Sequence, residues 1–266
     1  MGSIIRQKQV IFLFFYIVAC ILVKTANADE LKLAVASNFL SPIKNLASIY
    51  EKETGNKVLI SSGSTGKLYA QIIHGAPYDL FFAANVEEPK RLEKSGHALS
   101  NSRLTYAIGK IIIWSKKHNI SNQTELSDLL NNKIIKTLAV ANPKTAPYGA
   151  AAMEIIHKLD ISLHGIRVVK GENINQTWQF TQSGSVDVGF IAASQLNAGI
   201  INQGYHLNVP VNLYQAIEQQ VVLLTSSKNP ELGKSFLSFI RRADIKQRIE
   251  KFGYGSLGTT DVVALR

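Results

Sequence analysis

The chain is poor in the residues that staple small exported folds and arm many enzymes. It has a single cysteine, Cys20, so it can form neither an internal disulfide nor a cluster of thiolate metal ligands. Stability therefore has to come from burial. Its 6 histidines are scattered, without an HExxH or any short ligand spacing, which suits surface or capping roles better than a zinc site. Beyond residue 28 no apolar run approaches the ~20 residues that span a bilayer, and no low-complexity stretch separates one part of the chain from another. Acids are the scarcer charge, 19 against 29 Lys and Arg for a net +10. The basic residues come in short pairs such as Lys116-Lys117 and Arg241-Arg242 with no interleaved aromatics. That is a solvated basic surface and not the footprint of a nucleic-acid partner.

What is present begins with an address label. Arg6 and Lys8 give a basic start, Val10 to Val23 an apolar core, and Ala26-Asn27-Ala28 a small-x-small cleavage site, so residues 1–28 are expected to be a cleaved signal peptide. A lipoprotein box at Ile17-Val18-Ala19-Cys20, leaving Cys20 lipidated, ranks second because apolar Ile21-Leu22-Val23 follows where a mature start is polar.

From there one layout recurs four times: a short apolar strand, a turn of small or polar residues, and a helix with apolar residues at three-to-four spacing. The units are Leu31 to Ala36 with a helix to Thr54, Lys57 to Ile60 with a helix from Lys67 to His74, Thr137 to Ala141 with a helix from Tyr148 to Leu159, and Arg167 to Val169 with a helix from Ile174 to Gln182. Gly55, Gly75 and Gly184 follow three of these helices as C-terminal stops. Further β-rich runs lie at Leu80 to Ala83, Ile108 to Trp114, Val186 to Ile191 and Val221 to Leu224. A short helix at Thr124 to Leu130 and an amphipathic helical region at Pro230 to Phe252 complete the reading. This rhythm predicts an α/β fold with mostly parallel sheets flanked by helices. Two strand clusters predict two lobes, 29–107 with 219–266 and 108–218, crossed twice by the chain.

In open α/β sheets ligands sit beyond the carboxyl ends of the strands, where helix N-termini present free amide hydrogens and a positive dipole end. Four such starts carry groups suited to an anion: Ser37 and Asn38, Ser64 and Thr65, Tyr148 behind Pro147, and Ile174 behind Asn173. Each Ser, Thr or Asn taken alone is an ordinary helix cap. Together they can neutralise a dianion with neutral donors and no lysine or arginine. Two look-alikes fail on their flanks. Gly63 to Lys67 has Ser61 where a phosphate loop needs its first glycine and Leu68 where it needs Ser or Thr. Ser37 has Val35 and Phe39 where a hydrolase elbow needs glycines.

Three segments, Ala34 to Phe39, Gly63 to Ile72 and Gly75 to Phe81, followed by Leu138 to Pro143 and Val186 to Phe190, resemble in sequence and order the periplasmic molybdate-binding proteins of ABC importers. The resemblance implies a two-lobed type II periplasmic binding protein that closes on molybdate or tungstate and delivers it to membrane permease subunits. It implies a periplasmic monomer with no catalytic residues and no cofactor, the metal being bound only as its oxyanion. Carried over by position, Ser37 and Thr65 supply hydroxyls, Asn38 a further donor, Ser64 a lesser one, and Tyr148 and Ile174 backbone amides. Where many relatives place a tyrosine hydroxyl this chain has Ala192, and Asn38 is the expected substitute. A receptor for another oxyanion such as sulfate, or a periplasmic enzyme or sensor on the same clamp, is the alternative.

Overall fold

The computed structural model describes residues 29–120, 124–196 and 203–256. Residues 1–28, the expected signal peptide with Cys20 and both expected cleavage sites, lie outside them. Five strands, β1 (Glu30–Ala36), β2 (Lys57–Gly63), β3 (Leu80–Ala83), β4 (Leu104–Gly109) and β10 (Ile217–Leu223), form one sheet in the order β2-β1-β3-β10-β4. The other sheet takes β5 (Ile111–Ser115), β6 (Thr137–Ala141), β7 (Arg167–Gly171), β8 (Val188–Ala192) and β9 (Tyr205–Asn208) in the order β7-β6-β8-β5-β9. The two are built alike. Three parallel strands, β2, β1 and β3 in the first lobe and β7, β6 and β8 in the second, are extended by two antiparallel pairings.

The helices are α1 (Leu40–Thr54), α2 (Thr65–Ile73), α3 (Glu87–Lys94), α4 (Leu126–Asn131), α5 (Pro147–Lys158), α6 (Ile174–Gln182), α7 (Pro230–Arg241) and α8 (Ala243–Lys251). Helices cover the sheets, which is why β3 and β5 are buried at every position and read as unbroken apolar runs. The first core is aromatic, with Phe39 against Tyr106 at 4.6 Å and Tyr50 against Phe236 at 4.8 Å between ring centres. The second is aliphatic, and Ala36 and Ala84 of the first lobe pack into it. The lobes are therefore pressed together.

Several local readings change on folding. Ser61 and Ser62, read as turn, continue β2 because they pair with Ala34 and Val35 of β1. The run Ile108 to Trp114 is two strands, since the chain changes sheets at Lys110. Pro230 to Phe252 is two helices, broken where Arg242 adopts ψ 141°. Neither α3 nor β9 was legible from periodicity. Positions 107/108 fall within β4 and 218/219 within β10, and the sheets are joined at Lys110 and across 209–216. Among the described residues no helix is long and apolar enough to cross a membrane.

Candidate functional site

Four strand-to-helix turns, two from each lobe, meet at one small cavity. Ser37, Asn38, Ser64, Thr65, Tyr148 and Ile174 all line it. The local chain explains why each turn offers a donor. After β1 the backbone enters a 3₁₀ turn, Ser37–Phe39, with no side-chain cap on its first amides. Ser64 occupies the N-cap position of α2 yet makes no cap bond, so ordinary capping does not account for it. Helix α5 opens on Pro147, which has no N–H, and the Gly149 amide turns back to the Ala146 carbonyl at 2.8 Å. The Tyr148 amide stands between them, uncapped. At α6 the Asn173 side chain caps the amides of Asn175 and Gln176 and passes over that of Ile174. The first amides of a helix have no intrahelical partner and carry the positive end of its dipole, and these four starts aim at one point.

The hydroxyls divide by role. The Ser64 Oγ is buried without a hydrogen-bond partner, a costly arrangement unless something in the cavity completes it. Thr65 Oγ1 accepts the Ala84 amide at 3.0 Å, which leaves its own hydrogen free to donate. Ser64, the lesser candidate by sequence, is thus the better placed of the two. Asn38 differs from expectation. Its side-chain Nδ2 donates to Gln219 Oε1 at 2.7 Å and to the Tyr254 hydroxyl at 3.0 Å, so both amide hydrogens are engaged within the protein. What Asn38 can turn to the cavity is its backbone. Ala192 is fully buried in β8 with its amide donated to Gln195 Oε1, and it contributes no donor in place of a tyrosine.

The cavity is small and tightly walled, far too small for a sugar or peptide. No charged side chain lines it. Lys67, two residues on from Thr65, is paired across the lobes with Glu172. Burial holds the Tyr148 and Tyr106 hydroxyls well above the usual phenol value, with neighbouring Tyr254 adding to the rise, so they stay neutral. A larger cavity of about 570 Å³ adjoins this one between the lobes, sharing Ala84 and Pro147, but Glu87, Glu88, Glu154 and Glu218 line it, and such a wall repels anions.

Residues that sequence reasoning missed lie just behind the turns. Ser194 Oγ donates across the lobes to the Asn38 carbonyl at 3.0 Å, and the Tyr254 hydroxyl donates to the same oxygen at 2.9 Å. Gln219 stands between Asn38 and Tyr148. A glutamine pair directly before the apolar run Val221 to Leu224 was the available signal, since a buried amide needs partners. Tyr254 carried no signal of its own.

Residues 31–255 match the family described as bacterial extracellular solute-binding protein. The chain is 39% identical over 239 residues to the molybdate-binding protein ModA of Azotobacter vinelandii, covering 89% of this chain and 94% of that one. It is 35% identical over 234 residues to ModA of Rhodobacter capsulatus, covering 86% and 89%. The solved structure of the Azotobacter vinelandii periplasmic molybdate-binding protein aligns with a TM-score of 0.81 at 36% identity, over 86% of this chain and 100% of that one.

Proposed function

Because the chain belongs to the ModA-type bacterial extracellular solute-binding proteins, we propose that it captures molybdate or tungstate between its lobes in the periplasm and passes the ion to a membrane ABC permease. The observation that carries this reading is the convergence of four helix starts, three of them without a side-chain cap, and an unpartnered buried hydroxyl on one small, uncharged cavity. Such a lining offers hydrogen-bond donors and dipole ends to a dianion while excluding water and bulk. Ser37, Ser64 and Thr65 act through hydroxyls, and Asn38, Tyr148 and Ile174 through backbone amides. The lining supplies donors and pairs no nucleophile with a base, which supports capture and release over catalysis.

Selectivity follows from the donors. Molybdate and tungstate are fully deprotonated near neutral pH and take donors only. Protonated phosphate needs an acceptor for its hydrogen. Sulfate has the same charge on a smaller frame, so donors spaced for longer metal–oxygen bonds do not all reach it at ~2.7–3.2 Å. Isothermal titration with sodium molybdate, tungstate, sulfate and phosphate tests the proposal. One molybdate or tungstate per chain, with sulfate and phosphate much weaker, is the expected result. Sulfate binding as tight as molybdate would overturn it.

A further inference from the structure

Gln219 is fully buried in β10, the strand by which the chain returns to the first lobe, and its amide is bonded at both ends. Its Oε1 accepts from Asn38 Nδ2 at 2.7 Å and from the Tyr106 hydroxyl at 2.9 Å, both in the first lobe. Its Nε2 donates to the Tyr148 hydroxyl at 3.1 Å, in the second lobe. Asn38 and Tyr148 belong to two of the turns that face the cavity. Two features make room for this junction. The pairing of β10 with β4 slips between Gln219 and Gln220, an irregularity of the kind that re-aims a strand side chain. At Gly109, where β4 ends and the chain leaves the first lobe, an added Cβ would run into the Tyr148 hydroxyl and come within 2.7 Å of Gln219 Nε2.

We propose that Gln219 is a positioning residue for anion retention: its amide locks the Ser37–Asn38 turn to the start of α5 when the lobes close, so that it governs release of the ion and not its capture. The inference rests on the oxyanion reading above. It follows from placement, because the Gln219–Tyr148 bond joins residues of different lobes beside the point where the chain crosses between them, so it is coupled to how those lobes sit. The Asn38 and Tyr106 bonds, within one lobe, do not depend on closure. The Tyr148 side chain thus reports closure to a residue whose amide faces the ion, and Gly109 is the residue that leaves space for it.

Three single variants of the full chain test this: Tyr148→Phe, which keeps the backbone amide, Gly109→Ala, which removes no polar group but crowds the Tyr148 hydroxyl and Gln219 Nε2, and Gln219→Met, which removes the whole junction. Radiolabelled molybdate gives association and dissociation rates separately, and the thermal midpoint is taken without ligand. Loss of one buried bond should speed dissociation about tenfold in Tyr148→Phe and Gly109→Ala. Association should stay within about twofold of the parent, since tuning of one interface falls mostly on the off-rate. Pairing Tyr148→Phe with Gln219→Met should be no worse than Gln219→Met alone, the signature of a shared bond. Unchanged dissociation in Tyr148→Phe and Gly109→Ala overturns the inference while leaving the oxyanion reading intact. Slower association with a lowered ligand-free midpoint in both also overturns it, in favour of a purely structural role. A parent that binds no molybdate overturns the reading itself, and the inference with it.

Discussion

Ser64 and Thr65 are neighbours at one helix start, and their surroundings give them different consequences when changed. The Ser64 hydroxyl has no partner in the protein, so Ser64→Ala removes a donor to a charged ligand and nothing else. Molybdate affinity should fall roughly ten- to a hundredfold, about 1.5–3 kcal/mol for a hydrogen bond to a charged group. The ligand-free thermal midpoint should stay within about 2 °C of the parent. Thr65→Ala should lose affinity in the same range and stability as well, by about 1 kcal/mol, because its Oγ1 also satisfies the Ala84 amide. Titration calorimetry beside thermal melts separates the two, and parental affinity in Ser64→Ala would remove that hydroxyl from the site. That both residues open a helix was legible in the sequence. Which of them carries an unsatisfied hydroxyl was not, because it depends on Ala84, a residue brought in from just past β3.

At the scale of elements, the start of α6 separates backbone from side-chain recognition. Ile174 is apolar and offers only its amide, and Asn173 before it is extended at φ −149° and ψ 175°, the geometry a following proline requires. Ile174→Pro should therefore cripple molybdate binding with little damage to the fold, since proline is tolerated in a helix's first turn, whereas Ile174→Val should bind within about threefold of the parent. Equal binding by both in titration calorimetry would rule out the amide. A second element-level device ties β6 to β8. The Asp187 carboxylate accepts the amides of Lys136 and Thr137 at 2.8 and 2.9 Å. Burial pushes this carboxyl up, but those amides, with Thr137 and His118 beside it, outweigh burial and hold it below the ordinary carboxylate value. A carboxyl depressed in the folded state stabilises above its unfolded value and loses that contribution as pH falls through the folded one. Asp187→Asn should accordingly cost about 1 kcal/mol near pH 7, lowering the midpoint by ~2–4 °C. The gap to the parent should shrink below about pH 4 in melts across a pH series, and a gap independent of pH would contradict this account.

At the scale of the whole molecule, the two lobes touch through polar contacts on either side of the cavity. Gly66 donates its amide to the Thr145 carbonyl at 2.9 Å, Ser194 reaches Asn38, and Lys67 pairs with Glu172, each contact joining one lobe to the other. Hydrogen bonds and an ion pair of this kind can be exchanged for water, so the lobes should separate without ligand and contract on binding it. Small-angle scattering should show a smaller radius of gyration with saturating molybdate than without, and identical curves would argue against a closing clamp. The sequence by itself determined the repeated βα units, their glycine stops and the polar turns that open the helices, because these depend on periodicity and turn chemistry over a few neighbouring residues. It could not reveal that Ser61 and Ser62 are strand, that the chain changes sheets at Lys110, or that the Asn38 side chain faces Gln219 and Tyr254. Only the tertiary structure decided those, because each depends on partners far away in the chain: the β1 register that carries β2 onward, the second sheet that claims β5, and a junction drawn from residues as distant as 38, 148, 219 and 254.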